Sequence, residues 1–345
     1  MSISRRCFLK AASGTLATGA APALLVSGAR AQGVTPITVA LTWITNVEYA
    51  GLWIGLERGY FREEGLDVKA LPGGPNAPAP LVTVAAGKAQ IGYANWFPFL
   101  DAVSKGNDFL LIGHTFPVSP LGILSLAAKP ILKPADLVGA KILAQGPTER
   151  TAVEAVLALN NLPKQVSFIP TGFSPEPLLS KQGEGYTAFV TNQSITLENM
   201  GLARGKDFHF VSFDELGYRT YASGLFTSRQ MLQEHRGQVV GFMRALVRGW
   251  NDNQKDPTLA PKLVLAKYGV DLGLNAKQQT RQNELQLGLM KNPRAPQKRI
   301  LELDRESITG PMYAAARAAG RSSPPPVEKI ADFGVMEEVY RTLRS

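Results

Sequence analysis

The sequence predicts an α/β fold with two lobes, and three observations support that prediction. Short apolar, β-prone runs alternate with segments of helical periodicity along most of the chain. Without a predicted export signal, about 314 residues remain (345 minus 31), more than the ~250 to 300 at which a single core usually stops growing. Aromatic and polar residues directly follow several predicted strands, where open α/β sheets bind ligands.

Residues 37–68 are the most informative stretch. Residues 37–41 are short, apolar and β-prone, and residues 50–58 carry apolar side chains at helical spacing before Gly59. Gly65 then predicts a turn into a second strand that begins at Leu66. The loop between the first strand and the helix supplies four candidate ligand contacts, namely Trp43, Asn46, Glu48 and Tyr49.

This stretch resembles the first unit of periplasmic solute-binding proteins of the nitrate, sulfonate and thiamine-pyrimidine type. In that family a strand is followed by L-x-W-x-x-N, G-L, a helix, G-Y-F and E-G-L-D-V. The matching residues here are Leu41, Trp43, Asn46, Gly51, Leu52, Gly59, Tyr60, Phe61 and Glu64 to Val68. The resemblance implies a type II periplasmic binding protein fold, in which two α/β lobes are joined by two hinge crossovers with a ligand cleft between them.

The amino terminus predicts export. Arg5 and Arg6 open a basic segment, an apolar stretch rich in Ala, Leu and Gly follows, and residues 29–31 offer small residues for cleavage. This pattern is typical of a twin-arginine signal peptide over residues 1–31, with a mature chain from Gln32 and a periplasmic location. An amphipathic helix or a membrane anchor is the alternative, although Ser, Gly and Thr dilute the apolar stretch below the roughly 20 apolar residues of a span.

Composition narrows the function class. The formal net charge is +9, and residues 1–31 contribute four basic residues and no acidic ones, which leaves +5 (9 minus 4) for the mature chain. No cluster of Lys and Arg interleaved with aromatic residues occurs, so nucleic-acid binding is not expected. The single cysteine, Cys7, lies in the predicted signal, so we expect no disulfide, thiolate nucleophile or lipid anchor in a soluble, monomeric mature protein.

The remaining elements continue the alternation. Strands are expected at 66–71, 90–94, 109–113, 141–143, 166–170, 186–190 and 221–228, and helices at 80–86, after 148, at 234–250 and in a last segment ending near 343. We therefore predict a first part of lobe 1 over 32–118, lobe 2 over 119–220, and a return to lobe 1 with C-terminal helices over 221–345. Hinges are expected near 115–121 and 214–223.

Further candidate ligand contacts lie at the ends of these strands or at the start of a helix. They are Asn95, Trp96, Phe116, Thr148, Glu149, Phe173 and Asn192. Aromatic rings contribute contact area at low entropic cost, and a few polar groups orient the ligand. The alternative for each aromatic residue is that it fills the core or seals a loop.

The carboxylates indicate a ligand class. Glu48 and Glu149 near a cleft would repel a small strong anion, and they could accept hydrogen bonds from an amino group or a protonated ring nitrogen. We therefore expect a flat nitrogen heterocycle such as a thiamine-pyrimidine precursor. A sulfonate, nitrate or aromatic acid anion is the alternative. The resemblance implies delivery to an ABC permease and its ATPase, or presentation to a membrane sensor.

Enzyme signatures are scarce. The three histidines lack metal-binding spacing, and no H-E-x-x-H, G-x-S-x-G, Walker A or G-x-G-x-x-G pattern occurs, so neither catalysis nor a metal or cofactor is expected. Pyrimidine synthases of similar fold depend on a cysteine-rich motif, which this chain lacks. A synthase, or a transferase resembling hydroxymethylbilane synthase, is nevertheless the alternative from the enzyme class.

Overall fold

The computed structural model describes residues 33–343, in which ten strands form two five-stranded sheets. The strands are β1 (Thr35–Ala40), β2 (Leu66–Leu71), β3 (Ile91–Ala94), β4 (Phe109–Phe116), β5 (Leu121–Leu126), β6 (Lys141–Ala144), β7 (Ser167–Pro170), β8 (Gly185–Phe189), β9 (Phe208–Ser212) and β10 (Ala222–Ser228). The predicted signal peptide lies outside the described residues. Within residues 33–343, every helix is too short or too polar to traverse a bilayer.

Helices cover the sheets and make up most of the chain after β10. They are α1 (Ala50–Glu57), α2 (Tyr60–Glu63), α3 (Pro80–Ala85), α4 (Trp96–Ser104), α5 (Pro147–Leu159), α6 (Glu176–Leu179), α7 (Gln193–Asn199), α8 (Arg229–Lys255), α9 (Leu259–Leu263), α10 (Ala276–Leu289), α11 (Arg305–Ser307), α12 (Tyr313–Ala318), α13 (Val327–Ile330) and α14 (Gly334–Thr342). Short 3₁₀ segments occupy Val47–Tyr49, Pro134–Leu137 and Val270–Leu272, and π-helical turns occupy Val264–Tyr268 and Ile308–Met312.

The two sheets have equivalent strand orders and strand directions. The order is β2-β1-β3-β10-β4 in the first sheet and β7-β6-β8-β5-β9 in the second. β1 runs parallel to β2 and β3, as β6 does to β7 and β8. β10 and β5 each lie fourth and run antiparallel to both neighbours. The prediction of two α/β lobes is confirmed by this architecture.

β5 and β10, which lie fourth in their sheets, are each the first strand after the chain crosses from the other lobe. Residues 117–120 connect β4 of the first sheet to β5 of the second, and residues 213–221 return the chain from β9 to β10. The Arg294 guanidinium donates to both carboxylate oxygens of Asp214, at 2.9 and 2.6 Å, and ties the C-terminal segment to the return crossover. Two short connections between two sheets are the arrangement that permits hinge motion.

Several elements depart from the sequence prediction, among them the helices α4, α6 and α7, which were not predicted. β5 and β9 were not predicted, although both are apolar strands of the second sheet. α8 begins at Arg229, earlier than expected, because the Ser228 hydroxyl accepts a hydrogen bond from the Met231 N–H at 3.1 Å and caps the helix. Its first turns carry few apolar residues, and a kink at His235 separates them from the periodic part.

α8 packs closely on α1. A Cβ atom on Gly249 would lie 2.0 Å from the Gly51 carbonyl oxygen, so only glycine permits this backbone approach. Trp250 is buried beside the same contact. The contact between Gly51 and Gly249 thus holds α1 and α8 together in the first lobe.

α10 contacts both lobes. On the first lobe, the Val47 N–H donates to Gln279 Oε1 at 2.9 Å, and Gln286 Nε2 donates to the Val47 carbonyl at 2.8 Å. On the second lobe, Gln278 Nε2 donates to the Asn192 carbonyl at 3.1 Å. The C-terminal segment therefore spans the gap between the two sheets.

Candidate functional site

The loop after β1 holds Trp43 in a defined position. The Trp43 N–H donates to the Tyr49 hydroxyl at 2.9 Å, and that hydroxyl also lies 2.9 Å from Thr42 Oγ1. Tyr49 is only 1% exposed and packs edge-on to Tyr93 at 5.1 Å between ring centroids. Tyr49 is therefore buried and holds the loop in position, and its assignment as a ligand contact stays a prediction.

Trp43 meets the second lobe through Phe173. The two ring centroids lie 5.1 Å apart at an interplanar angle of 62°, in an edge-to-face arrangement. Trp43 is half-buried, and Phe173 is 48% exposed. Two candidate residues from different lobes thus contact each other directly.

Glu48 lies where the first loop meets β10. The Ser223 hydroxyl donates to Glu48 Oε1 at 2.8 Å, and Ser223 adopts a left-handed φ of 50° at the start of that strand. Burial raises the pKa of the Glu48 carboxyl, and the Ser223 hydrogen bond only partly opposes that effect. No Lys or Arg of residues 33–343 pairs with Glu48, so a ligand donor would meet a carboxyl that lacks a countercharge.

Asn46 and Asn95 complete the first wall. Asn46 is buried and caps the 3₁₀ segment, because its Oδ1 accepts from the Glu48 N–H at 3.0 Å. Asn95 follows β3 and is half-buried, and its side chain makes no hydrogen bond within residues 33–343. Its amide is therefore available to a ligand.

The second wall is built around the loop that contains Phe173. Tyr186 donates to the Gly172 carbonyl at 2.7 Å, and Gln193 Nε2 donates to the Phe173 carbonyl at 3.4 Å. Asn192 precedes α7 and lies next to Gln193. Two buried side chains thus hold the backbone of this loop and leave the Phe173 ring exposed.

Thr148 and Glu149 lie in the first turn of α5, after the extended Gly146. Burial raises the pKa of the Glu149 carboxyl, against hydrogen bonds from backbone N–H groups that lower it. Burial raises the pKa of Tyr186 to about 12, and the charge of nearby Glu149 adds to that shift. Glu149 therefore lies close to the residue that holds the Phe173 loop.

Trp96 and Phe116 lie in the core rather than in the cleft. Trp96 is 4% exposed, stacks between Phe99 and Tyr313, and donates from Nε1 to the Met312 carbonyl at 3.2 Å. Phe116 is 2% exposed at the end of β4. Both side chains thus fill the core, which is the alternative stated for the aromatic candidates, and their assignment as ligand contacts stays a prediction.

The structure also shows residues that the sequence analysis missed. Ser223 was placed in the return strand and not in the site, because its contact with Glu48 spans 175 residues of sequence. His114 of β4 is buried against Tyr221 with ring centroids 3.9 Å apart, and burial lowers its pKa to about 4. Among residues 33–343, no three His, Cys, Asp or Glu side chains converge as a metal site.

Known proteins define the class. A periplasmic sulfonate-binding protein from Methylobacillus flagellatus superposes with a TM-score of 0.66 at 14% identity, over 90% of this chain and 95% of that one. The aliphatic sulphonate binding protein of Escherichia coli superposes with a TM-score of 0.64 at 13% identity, over 85% and 91% of the two chains. The chain thus has the two-lobed α/β fold of periplasmic binding proteins.

Sequence similarity identifies the family. The family model described as "NMT1/THI5 like" matches residues 46–260, more than half of the chain, so the chain belongs to the NMT1/THI5-like family. A formylaminopyrimidine-binding protein of Halalkalibacterium halodurans is 25% identical over 77% of this chain and 81% of its own length. A 4-amino-5-hydroxymethyl-2-methylpyrimidine phosphate synthase of Schizosaccharomyces pombe is 22% identical over 64% and 66%. The predicted family resemblance is confirmed.

Proposed function

We propose that the protein captures a small planar nitrogen heterocycle, of the pyrimidine class, in the cleft between its lobes. The observation that carries this proposal is that Trp43 and Glu48 lie in the same short loop after β1. An indole offers a flat face for stacking, and a carboxyl without a countercharge accepts hydrogen bonds from amino or protonated ring nitrogens. The similarity to a formylaminopyrimidine-binding protein supports the same ligand class.

The electrostatics disfavour a small anion in this part of the cleft. Burial raises the pKa of both Glu48 and Glu149, which means that neither carboxyl has enough cationic or hydrogen-bonding support to offset desolvation. An anion placed beside them would add repulsion. A ligand that brings N–H donors would instead provide the missing partners.

Capture would proceed by closure of the lobes without covalent chemistry. Residues 117–120 and 213–221 are the two crossovers about which the lobes would rotate. A ligand that touches Trp43 and Asn95 on one side and Thr148 and Phe173 on the other gains all its contacts only in the closed form, so it shifts the population toward closure. The closed protein would then deliver its ligand to a membrane permease powered by an ATPase.

Location is part of the proposal. Export by the twin-arginine signal would place the mature chain, proposed to be monomeric, in the periplasm beside that permease. Replacement of Arg5 and Arg6 by Lys should leave the protein in the cytoplasm, as measured by fractionation and immunoblotting. Unimpaired export of this variant would contradict the assignment of the signal.

A synthase is the alternative, because relatives of this family include a pyrimidine phosphate synthase. Calorimetry with formylaminopyrimidine, 4-amino-5-hydroxymethyl-2-methylpyrimidine and taurine separates the possibilities when the recovered ligand is analysed by mass spectrometry. We expect reversible binding of a pyrimidine, which is recovered unchanged. Conversion of the ligand would favour the synthase, and binding of taurine alone would favour a sulfonate carrier.

A further inference from the structure

A cavity lies at the edge of the interlobe cleft, and Trp43 is one of the residues that line it. It has a volume of about 430 Å³ and is bounded by the loop after β1, by α7 and by the segment that leads into α10. Seven carboxamide side chains line it, and we refer to them as the amide pocket: Asn46, Asn192, Asn199, Asn275, Gln278, Gln279 and Gln282. None of the residues that line this cavity is ionisable.

The orientation of three of these carboxamides is fixed by the backbone. Backbone N–H groups donate to Oδ1 of Asn46 at 3.0 Å, to Oε1 of Gln279 at 2.9 Å and to Oδ1 of Asn275 at 3.0 Å. Because each amide oxygen faces a backbone N–H, the amino group of the same side chain is directed away from that N–H. These three amino groups have no acceptor within residues 33–343, so the pocket presents hydrogen-bond donors.

Three members are more than nine-tenths buried. Gln279 is 3%, Gln282 is 6% and Asn46 is 7% exposed, and the Gln282 side chain has no hydrogen-bond partner in residues 33–343. The amino groups of these three side chains are not among the fully buried atoms that lack a hydrogen-bond partner, so they remain accessible from the cavity. A ligand oxygen in the cavity could therefore accept hydrogen bonds from these amino groups.

Residues of α10 and residues of the second lobe together form the amide pocket. Asn199 Nδ2 donates to Gln278 Oε1 at 3.0 Å, and Gln278 Nε2 donates to Asn192 Oδ1 at 3.3 Å. Arg281 pairs with Glu198 at 3.5 Å beside this contact. A group bound in the pocket would therefore touch both lobes.

We propose that the amide pocket binds an oxygen-acceptor group, either a free oxyanion such as a sulfonate or a carbonyl-bearing substituent of the captured heterocycle. The second source rests on the proposed function, and the first does not. Neutral amide donors suit both sources, because they bond to acceptor oxygens without demanding a full charge. The carboxyls of Glu48 and Glu149 lie outside this pocket, so it differs in chemistry from the inner cleft.

Calorimetry with defined probes tests the proposal. Sodium methanesulfonate represents the free oxyanion, and formylaminopyrimidine is compared with the same aminopyrimidine without its formyl group. Gln282→Met removes a donor that makes no hydrogen bond to the protein, so we expect an unchanged or raised melting temperature. Met200 is exposed in the pocket wall, and Met200→Glu adds a negative charge there that should repel a ligand oxygen. This variant provides a second test if Gln282→Met misfolds. Gln165→Glu, on an exposed part of lobe 2, controls for added charge.

We expect at least a tenfold loss of affinity for one oxygen-bearing probe in Gln282→Met and Met200→Glu, with Gln165→Glu unchanged. Loss for methanesulfonate identifies a free oxyanion, and loss of only the formyl-dependent part of affinity identifies a substituent. Affinities within twofold of wild type in Gln282→Met, or no contribution of either oxygen group in wild type, would overturn the proposal. Loss of pyrimidine binding in Trp43→Ala would still support the proposed function in that case.

Discussion

The two walls of the cleft differ in how firmly they are built. In the first lobe, the backbone and one side chain of the Trp43 loop are tied to a core tyrosine, and Glu48 is tied to Ser223 of the return strand. In the second lobe, the side chains that hold the Phe173 loop bond to two of its backbone carbonyls, and the Phe173 ring remains 48% exposed. The first wall is preorganised, and the second can adjust when the lobes close.

This difference assigns the two aromatic residues unequal roles. A ring whose loop is fixed before binding loses little conformational freedom when it contacts a ligand, so more of its contact energy appears as affinity. Trp43 should therefore contribute most of the stacking. Phe173 should contact the ligand only after the second lobe has closed over it.

The largest expected effect comes from the residue that preorganises the first wall. Tyr49→Phe leaves the Trp43 N–H without its acceptor in a buried position, and the cost should be about 1 to 3 kcal/mol of unfolding free energy. Tyr186→Phe is the matched control, because it removes one hydroxyl that donates to the Gly172 carbonyl of the other wall. We expect about 0.5 to 1.5 kcal/mol there. Urea denaturation measures both, and equal losses would contradict the difference between the walls.

The second effect concerns affinity. Trp43→Ala should weaken pyrimidine binding at least tenfold, which corresponds to about 1.4 kcal/mol, because the indole face is lost from a fixed loop. Phe173→Ala should weaken it only a few-fold. Titration calorimetry on both variants gives the comparison directly. Wild-type affinity in Trp43→Ala would remove that residue from the site.

The smallest effect is a pH dependence of stability. The folded pKa of Glu48 lies above its ordinary value of 4.5, so its protonated form favours the folded state. That contribution is complete below about pH 4.5 and is lost as pH rises through the folded pKa. Glu48→Gln stays neutral and retains an acceptor for Ser223, so it should exceed wild type in stability at pH 8. The difference should narrow toward pH 4, and a constant difference at both pH values would refute this reasoning.

The two-lobed α/β architecture could be predicted from the sequence, although the strands β5 and β9 were missed. The spacing from Leu41 to Val68 predicted the first unit, because local strand, loop and helix patterns specify it. It could not separate Trp43 from Trp96, although each follows a strand. Trp96 is drawn into the core by Phe99 and by Tyr313, which lies 217 positions away (313 minus 96).

Contacts between distant segments explain the other omissions. Ser223 joins the site only because β10 returns to lie beside β3 and β4. The amide pocket depends on α10, which carries polar side chains without a periodic apolar face, so its sequence gave no sign of contact with both lobes. Such features require the tertiary arrangement.

A crystal structure of the protein grown with formylaminopyrimidine tests the central claim most directly. We predict a pyrimidine ring stacked on the Trp43 indole, with a ring or amino nitrogen within hydrogen-bond distance of the Glu48 carboxyl and the lobes closed around it. A ligand bound away from both residues, for example in the groove beside β2 that is lined by Trp53 and Tyr268, would contradict the account.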